Sequence, residues 1–457
     1  RMLAAKRSNL RVMRTFRLRP LRHPYVRRNH PMHGLHVWIM AMHRAHNAAD
    51  ERPVAVSAGL TGEDLAPACH LHGARMNTIR TLSVTLALCL ACAATATQAA
   101  DPPTHFDPQG KPPSTFTLEI RNRLKAELPF SDKRDFDEAK KGFIAEPPYK
   151  KIMADAGNVA WDMGSYQWLL SGQDFASIHP SLQRQAVLNM AYGLYEVVPG
   201  RIYQVRGYDL ANISFIKGDT GWIVFDPLTA AETARAALEF INEKLGKRPV
   251  VGVVYSHSHG DHFGGVRGVV DEADVASGKV MLIAPEGFMD AAISENVFAG
   301  TAMNRRLQWQ YAVLLQRSPY GHVDQAIGKN VAAGNSGLIP PNRLIGKDIE
   351  EITLDGVQMV FQDVSDTEAP VEMNTWFPQF KALWSSELVT GTIHNIYTLR
   401  GAAVRNANNW SKEINETLYR FGGEAEVMFA SHSWPRWGND RIQEVLRTQR
   451  DAYANLN

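Results

Sequence analysis

Four potential metal ligands lie close together in residues 256–265, which read Ser-His-Ser-His-Gly-Asp-His-Phe-Gly-Gly. Side chains two positions apart on an extended segment point the same way, so His257 and His259 can reach one metal ion together. Asp261 and His262 are adjacent and diverge, which lets them serve a second ion close by. Imidazole and carboxylate groups suit Zn²⁺ or a similar metal. A polar cluster without a metal explains this density of ligands poorly, and we therefore predict a metal centre.

The elements around this segment predict a sheet that holds it at one edge. Residues 249–255 form a continuous apolar run, which predicts a buried strand leading into the segment. Upstream, Thr229 and Glu232 predict a capping box at the start of a helix that Gly246 ends. Three β-rich runs precede this helix, at residues 202–205, 212–217 and 222–225. Strand, helix and strand in this order place the histidine-rich loop at the carboxyl end of a sheet, where catalytic residues usually lie.

Asp226 ends the last of these three runs. Two interpretations of this residue stay open. It either orients a histidine of the metal centre from behind or caps the end of its strand.

The rest of residues 101–457 divides into a lead-in, an insertion and a second set of strands. Residues 101–120 predict coil and residues 117–195 predict mainly helix, including one helix over 181–195. Residues 265–345 form a long mixed insertion with helix near 302–316. Strands resume at 357–362, 381–384 and 426–430, and a last helix begins at about Asn439. We expect an α/β fold with a helical lead-in over 101–200 and a catalytic domain over 201–438.

The first 100 residues differ in composition from the rest. Residues 1–75 hold 13 of the 49 Lys and Arg, only 4 of the 47 Asp and Glu, and 8 of the 16 His. Met76 then opens a secretory signal, in which Arg80 precedes an apolar stretch over 82–94, too short for a membrane anchor, and small residues up to Ala100. We interpret residues 76–100 as a signal peptide. Residues 1–75 are then a non-native upstream extension rather than a basic nucleic-acid-binding arm.

Residues 101–457 alone carry 35 Lys and Arg against 43 Asp and Glu, a net charge of −8. This acidic balance speaks against nucleic acid as a partner. Cys69, Cys89 and Cys92 all lie before residue 101, so the exported part would have neither disulfides nor a thiolate nucleophile. We expect a periplasmic or secreted protein without a transmembrane span.

The histidine-rich segment strongly resembles the HxHxDH motif of the metallo-β-lactamase superfamily, which implies an αββα sandwich with a metal centre between its two sheets. Further segments, from about Asp135 to the end of the chain, resemble the exported alkyl sulfatases of that superfamily, which hydrolyse alkyl sulfate esters such as dodecyl sulfate. The segments that carry this resemblance include TEAP at 367–370, EMN at 372–374, SE at 386–387, HNIYTLRG at 394–401 and SHSWP at 431–435.

The resemblance implies a centre with two zinc ions. His257, His259 and Glu368 would bind one ion, and Asp261, His262 and His432 would bind the other. Glu387 and a water or hydroxide would lie between the two ions, with Asp261 and Glu387 as the catalytic carboxylates. Metal coordination lowers the pKa of water toward neutrality and so supplies a nucleophile.

The substrate's sulfate group would be bound by Arg400, because a planar guanidinium can pair with two sulfate oxygens. Asn395 would add a further hydrogen-bond donor. His322 and His394 are interpreted as structural residues.

Two other functions stay open at this point. A different hydrolase of the superfamily, such as a lactonase or β-lactamase, would place His322 rather than Glu368 on the first metal. An inactive scaffold is the second alternative, because the resembled family continues into a helical dimerisation domain and a C-terminal lipid-carrier-like domain. Residues 439–457 would be the start of that helical region, through which family members form homodimers.

Overall fold

Two β-sheets packed face to face, with helices on their outer faces, form the centre of the molecule. The structure is a computed structural model and describes residues 110–457. The predicted upstream extension at 1–75 and signal peptide at 76–100 lie outside the described residues. The αββα sandwich expected from the sequence is confirmed.

The first sheet has eight strands, and its neighbours are antiparallel as far as β7 and parallel from β7 to β10. Because β7 and β8 are parallel, their carboxyl ends meet at one edge. In spatial order the strands are β1 (Phe143–Ala145), β4 (Gly193–Val198), β5 (Ile202–Arg206), β6 (Ile213–Lys217), β7 (Trp222–Phe225), β8 (Val250–Val254), β9 (Met281–Pro285) and β10 (Arg343–Ile345). A separate hairpin pairs β2 (Lys151–Met153) with β3 (Val159–Asp162).

The second sheet has six strands, of which only β14 and β15 run parallel to each other. The carboxyl ends of β14 and β15 therefore lie at the same edge as the amino end of β13. The strands are β11 (Ile349–Leu354), β12 (Val357–Asp363), β13 (Met373–Phe377), β14 (Ala382–Trp384), β15 (Val427–Phe429) and β16 (Arg436–Trp437).

The helices form the outer layers. They are α1 (Thr115–Glu127), α2 (Arg134–Lys140), α3 (Pro180–Leu188), α4 (Ala231–Leu245), α5 (Gly260–Phe263), α6 (Glu272–Ala276), α7 (Phe288–Ile293), α8 (Gly300–Gln310), α9 (Ala407–Thr417) and α10 (Asn439–Leu456). One face of α4 packs on the first sheet through Ala237 and Ile241. Trp410 of α9 and Leu446 of α10 pack on the second sheet. Among the described residues, no helix is both long enough and apolar enough to span a bilayer.

The space between the sheets is filled by aromatic and aliphatic side chains. Phe225 at the end of β7 meets Trp384 at the end of β14 edge to face, with ring centroids 4.6 Å apart. Phe225 also contacts Phe377 of β13, at 5.6 Å. This packing fixes the ends of β7 and β14 against each other, and those ends carry the loops of the functional site.

The predicted helical lead-in over 101–200 is only partly helical. Helices α1, α2 and α3 lie there, but β4 and the hairpin of β2 and β3 lie there too, and α3 ends at Leu188 rather than near Tyr195. Gly193–Val198 joins the first sheet by pairing with β5, an interaction that its own periodicity does not reveal. Likewise, the predicted insertion at 265–345 contains β9, a buried strand of the first sheet.

The predicted capping box of α4 is wrong. Thr229 Oγ1 donates to the Asp209 carboxylate at 2.9 Å instead of capping the helix. Glu232 accepts backbone N–H groups of Asp155 and Asn335, at 3.0 and 2.8 Å. Both side chains therefore serve tertiary contacts, because partners distant in the sequence outcompete the local cap. The predicted end of the helix at Gly246 is confirmed.

Candidate metal centre

Five loop segments meet where the two sheets open at one edge. Asp226 follows β7, residues 256–262 follow β8, Glu387 follows β14 and His432 follows β15. Glu368 precedes β13. A backbone bridge pairs His257 with Glu372, and Met373 N donates to Ser256 O at 3.0 Å. The histidine-rich loop of the first sheet is thus fastened directly to the second sheet.

The first group of candidate ligands consists of His257, His259, Glu368 and Glu387, whose donor atoms lie within 4.8 Å of one another. His257 Nε2 is 3.3 Å from Glu368 Oε2 and 3.4 Å from Glu387 Oε2. His259 Nδ1 is 2.8 Å from Glu368 Oε2. The structure therefore brings together the three residues assigned to the first ion and the carboxylate assigned to both.

The second group consists of Asp261, His262 and His432, again with donor atoms within 4.8 Å. His262 Nε2 lies 3.2 Å from Asp261 Oδ2, and His432 Nε2 lies 3.6 Å from the same oxygen. Glu387 Oε2 is 3.1 Å from His262 Nε2 and 3.2 Å from His432 Nε2. One oxygen of Glu387 thus faces both groups, which is the position of a bridging ligand.

These seven side chains fit a pair of metal ions. His257 Nε2, His262 Nε2 and Glu368 Oε2 are buried and have polar neighbours at 2.8 to 3.3 Å, but none makes a hydrogen bond of acceptable geometry within the described residues. A buried polar atom without a hydrogen bond is costly, and such atoms among groups of candidate ligands indicate a site that binds a cation. Neutral imidazole and carboxylate donors are what Zn²⁺ prefers. Each of the two groups, which Glu387 joins, has the donor set of a metal site.

Asp226 orients His262 from behind. Its Oδ2 is 2.8 Å from His262 Nδ1 and accepts from Ser256 Oγ at 2.7 Å, while its Oδ1 accepts from Ser256 N at 2.8 Å. With Nδ1 held by a carboxylate, His262 presents Nε2 to the centre. Of the two interpretations left open for Asp226, the structure therefore supports the orienting one.

The pKa shifts at the centre leave His257 neutral and both glutamates ionised, whereas nearby carboxylates outweigh burial and raise the pKa of His259, His262 and His432. Burial and the neighbouring His262 lower the pKa of His257 well below its ordinary value, which leaves its imidazole neutral. Burial opposes ionisation of Glu387, but His432 and His262 outweigh it and hold the pKa of Glu387 well below the usual range. Burial likewise opposes ionisation of Glu368, and Arg405 reverses the balance.

Arg400 lies beside the first group. Its Nε and Nη2 donate to Glu295 Oε1 at 3.1 and 2.8 Å, and Glu295 Oε2 is 3.6 Å from His259 Nε2. Arg400, His259 and Asp261 share the lining of a cavity of about 460 Å³. The apolar part of that lining includes Phe263, Ile293, Val297, Leu307 and Leu338.

Asn395, the second predicted sulfate ligand, is engaged elsewhere through its oxygen. Its Oδ1 accepts from Arg405 Nη1 at 2.8 Å. The same guanidinium contacts the Glu368 carboxylate through Nη2, and its Nε donates to Glu368 O at 2.6 Å. Asn395 therefore supports the arginine that holds a candidate metal ligand.

Two side chains of the site were not found from the sequence. His394, interpreted as structural, has Nε2 3.3 Å from Glu387 Oε1 and 3.7 Å from Glu368 Oε1. No pattern in the sequence singles out Arg405. Both lie in residues 394–405, which also carry Asn395 and Arg400. A polar loop that already holds two candidate sulfate ligands could have indicated that its other polar residues belong to the site.

His322 lies outside the centre, in agreement with its predicted structural role. Its Nδ1 is 3.0 Å from Tyr166 Oη, and its Nε2 is 2.8 Å from Gln325 Nε2. Glu368, and not His322, stands in the first group. The arrangement that would have favoured a lactonase or β-lactamase is therefore absent from the described residues.

Comparison with known proteins agrees with this arrangement. Residues 206–432 match the metallo-β-lactamase superfamily. The chain is 45% identical over 348 residues to an (R)-specific secondary-alkylsulfatase and to a linear primary-alkylsulfatase, both of Pseudomonas sp., covering 76% of this chain and 52% of each relative. The chain thus spans about half the length of these curated relatives.

A solved structure extends the similarity to three dimensions. The stereoselective inverting sec-alkylsulfatase Pisa1 from Pseudomonas sp. superposes with a TM-score of 0.74 at 45% identity, over 77% of this chain and 55% of that one. On its sequence, its fold and its matched domain, the chain belongs to the alkylsulfatase family of the metallo-β-lactamase superfamily.

Proposed function

We propose that this chain hydrolyses alkyl sulfate esters to an alcohol and inorganic sulfate at a centre of two zinc ions. The observation that carries the proposal is the junction of two ligand groups at Glu387, next to an arginine and an apolar cavity. The relatives named as alkylsulfatases support the same reaction class.

The two ions would be held by the seven ligands described above, in the groups that the distances define. When bound, such ions lower the pKa of water toward neutrality and offset negative charge on the reacting sulfate ester. Glu387 lies against both groups and Asp261 belongs to the second, and a carboxylate in such a place can hold and orient the proton of the attacking water. His394 lies against the other oxygen of Glu387 and fixes its direction.

The substrate's two ends match two parts of the cavity. The sulfate group would pair with the guanidinium of Arg400, whose present partner Glu295 is itself an anion. The alkyl chain would lie against the apolar lining, including Phe263 and Leu307. The ester bond breaks as the oxygen of water forms the new bond, and the products are the alcohol and hydrogen sulfate. Sulfate is a weak base, so its departure needs little acid assistance.

The direct test is release of inorganic sulfate from dodecyl sulfate by purified protein. We expect activity in the wild type, and loss of activity with a chelator and in His259→Ala. The matched control is His179→Ala, which removes an exposed histidine whose ring accepts a hydrogen bond from Ser181 N at the start of α3. A zinc-loaded protein that releases no sulfate would refute the proposal and support the scaffold alternative.

We further propose that the protein is exported to the periplasm or medium. The support is the sequence pattern of residues 76–100. Amino-terminal sequencing of the exported protein is expected to begin near Asp101. An intact residue 76–100 segment on protein recovered from the cytoplasm alone would contradict this.

A further inference from the structure

Both glutamates of the candidate metal centre follow strained turns. Asp366, two residues before Glu368, has a φ of 58°, and Ser386, directly before Glu387, has a φ of 52°. Residues other than glycine rarely adopt this left-handed conformation, and they persist in it only where the surroundings hold them. Something must therefore stabilise both turns.

One buried carboxyl group touches both turns. Glu372 is fully buried, and its Oε1 accepts from Ser386 Oγ at 2.8 Å and from Glu387 N at 3.0 Å. Its Oε2 lies 3.0 Å from the hydroxyl of Thr367, the residue before Glu368. The side chain of Glu372 thus ties together the two backbone segments that present Glu368 and Glu387.

The backbone of Glu372 is held to a third part of the site. It pairs with His257 in the bridge that links the two sheets, and Glu372 O accepts from Val364 N at 2.9 Å. Glu372 is therefore fixed relative to the first histidine of the centre while its side chain fixes the two glutamates. It is not itself one of the side chains whose donor atoms come together as candidate ligands.

We propose that Glu372 is a positioning residue that sets the separation of Glu368 and Glu387 and thereby the affinity of the centre for its two ions. The inference rests on the two-metal centre of the proposed function but not on the identity of the substrate. The role of Glu372 is to hold the two ligands in place, and its side chain does not touch the reacting atoms.

The hydrogen-bond geometry predicts which substitution preserves this role. Thr367 Oγ1 lies 2.6 Å from Val364 O and 3.0 Å from Glu372 Oε2, and its one hydrogen can be donated to only one of them. When Val364 O accepts it, the hydroxyl oxygen can accept from a group at position 372. In Glu372→Gln, the amide oxygen would accept from Ser386 and Glu387, and the amide nitrogen would donate to Thr367. Glu372→Ala removes all three contacts.

The test measures metal binding rather than turnover. Zinc dissociation constants are measured on the full chain by competition with a chromophoric chelator, together with the visible spectrum of the cobalt-substituted protein, which reports ligand geometry. We expect Glu372→Ala to weaken at least one ion by about 10- to 100-fold, the usual range for such outer contacts. We expect Glu372→Gln to stay within about threefold of the wild type with an unchanged cobalt spectrum. Glu239→Ala, at an exposed position of α4, is the control.

Ser386→Ala removes one contact only and keeps the test decisive if Glu372→Ala fails to fold. It is expected to weaken zinc binding less than Glu372→Ala but measurably. The inference is overturned if the wild type binds two ions and both alanine variants bind them equally well, or if Glu372→Gln loses as much affinity as Glu372→Ala. A wild type that binds no zinc overturns the proposed function as well.

Discussion

Individual side chains in the candidate centre are each fixed on the side that faces away from it. His262 Nδ1 meets Asp226, His257 Nδ1 is 2.7 Å from Ser256 Oγ, and His432 Nδ1 is 3.2 Å from Leu210 O. Such contacts fix the ring orientation and the tautomer, so that Nε2 points inward. The orientation of the candidate ligands thus depends on the residues behind them.

Asp226→Asn tests this orientation. The amide keeps the size of the side chain but removes the charge that faces His262 Nδ1. We expect zinc affinity to fall by about 10- to 100-fold with little change in overall fold. Chelator competition measures the affinity, and circular dichroism checks the fold. Unchanged affinity would show that Asp226 only caps its strand.

Arg400→Gln tests the proposed sulfate contact. A hydrogen bond to a charged group contributes roughly 1.5–3 kcal/mol, so we expect KM for dodecyl sulfate to rise by about tenfold or more. Zinc content should not change, because Arg400 is not among the candidate ligands. Arg305→Gln, an exposed position of α8, is the matched control. Equal KM values for the two variants would exclude Arg400 as a sulfate ligand.

At the scale of elements, the connection between α8 and β10 is held by a buried polar network. Lys329 Nζ pairs with Asp324 Oδ2 at 2.9 Å and donates to Ala186 O at 2.6 Å. His322 links Tyr166 to Gln325, and Gln325 Nε2 also donates to Tyr311 O at 2.8 Å. Because Tyr311 lines the cavity of the site, this network connects the lead-in of the chain to the wall of the cavity.

The network predicts a pH dependence of stability. Burial, with Arg317 and Lys329 nearby, lowers the pKa of His322 from 6.5 to about 4. Between pH 6.5 and 4 the unfolded chain therefore binds a proton that the folded chain does not, and stability falls on acidification, by about 3 kcal/mol at most.

We expect His322→Gln to lose less stability than the wild type over this pH range, although it is less stable at pH 7. Urea unfolding at several pH values measures the difference. His179→Gln, at an exposed histidine, should follow the wild type. Parallel curves for His322→Gln and the wild type would contradict the prediction.

At the scale of the whole molecule, the candidate metal centre lies at the edge where the two packed sheets meet. Residues 256–262 and Asp226 belong to the first sheet, whereas Glu368, Glu387 and His432 belong to the second. Asp261, Glu368 and Glu387 bring three carboxylates into one small space. Cations bound there would offset their repulsion and join the two sheets.

We therefore expect removal of metal to destabilise the whole fold. A ligand that binds only the native state stabilises that state by about 4 kcal/mol when the ligand concentration is a thousand times Kd. Dialysis against a chelator should lower Tm by several degrees, and zinc, but not magnesium, should restore it. In His432→Ala the zinc-dependent rise in Tm should shrink. Differential scanning calorimetry measures these shifts, and identical Tm values with and without chelator would argue against a metal that bridges the sheets.

Features that depend on neighbours along the chain could be predicted from the sequence. The closely spaced ligands from His257 to His262, the strand before them and the end of α4 at Gly246 follow from spacing and periodicity, and the structure agrees. The more distant ligands Glu368, Glu387 and His432 could be named only through a family resemblance, because local patterns say nothing about residues more than a hundred positions apart.

The contacts that support the ligands arise from packing and could not be predicted from local patterns. The place of His394 beside Glu387, the grip of Arg405 on Glu368 and the two turns joined by Glu372 all depend on how the second sheet packs against the first. Thr229 and Glu232 show the reverse case, in which a plausible local cap yields to distant partners. The physical reason is the same in each: a buried polar group takes the partners that packing brings to it, wherever they lie in the chain.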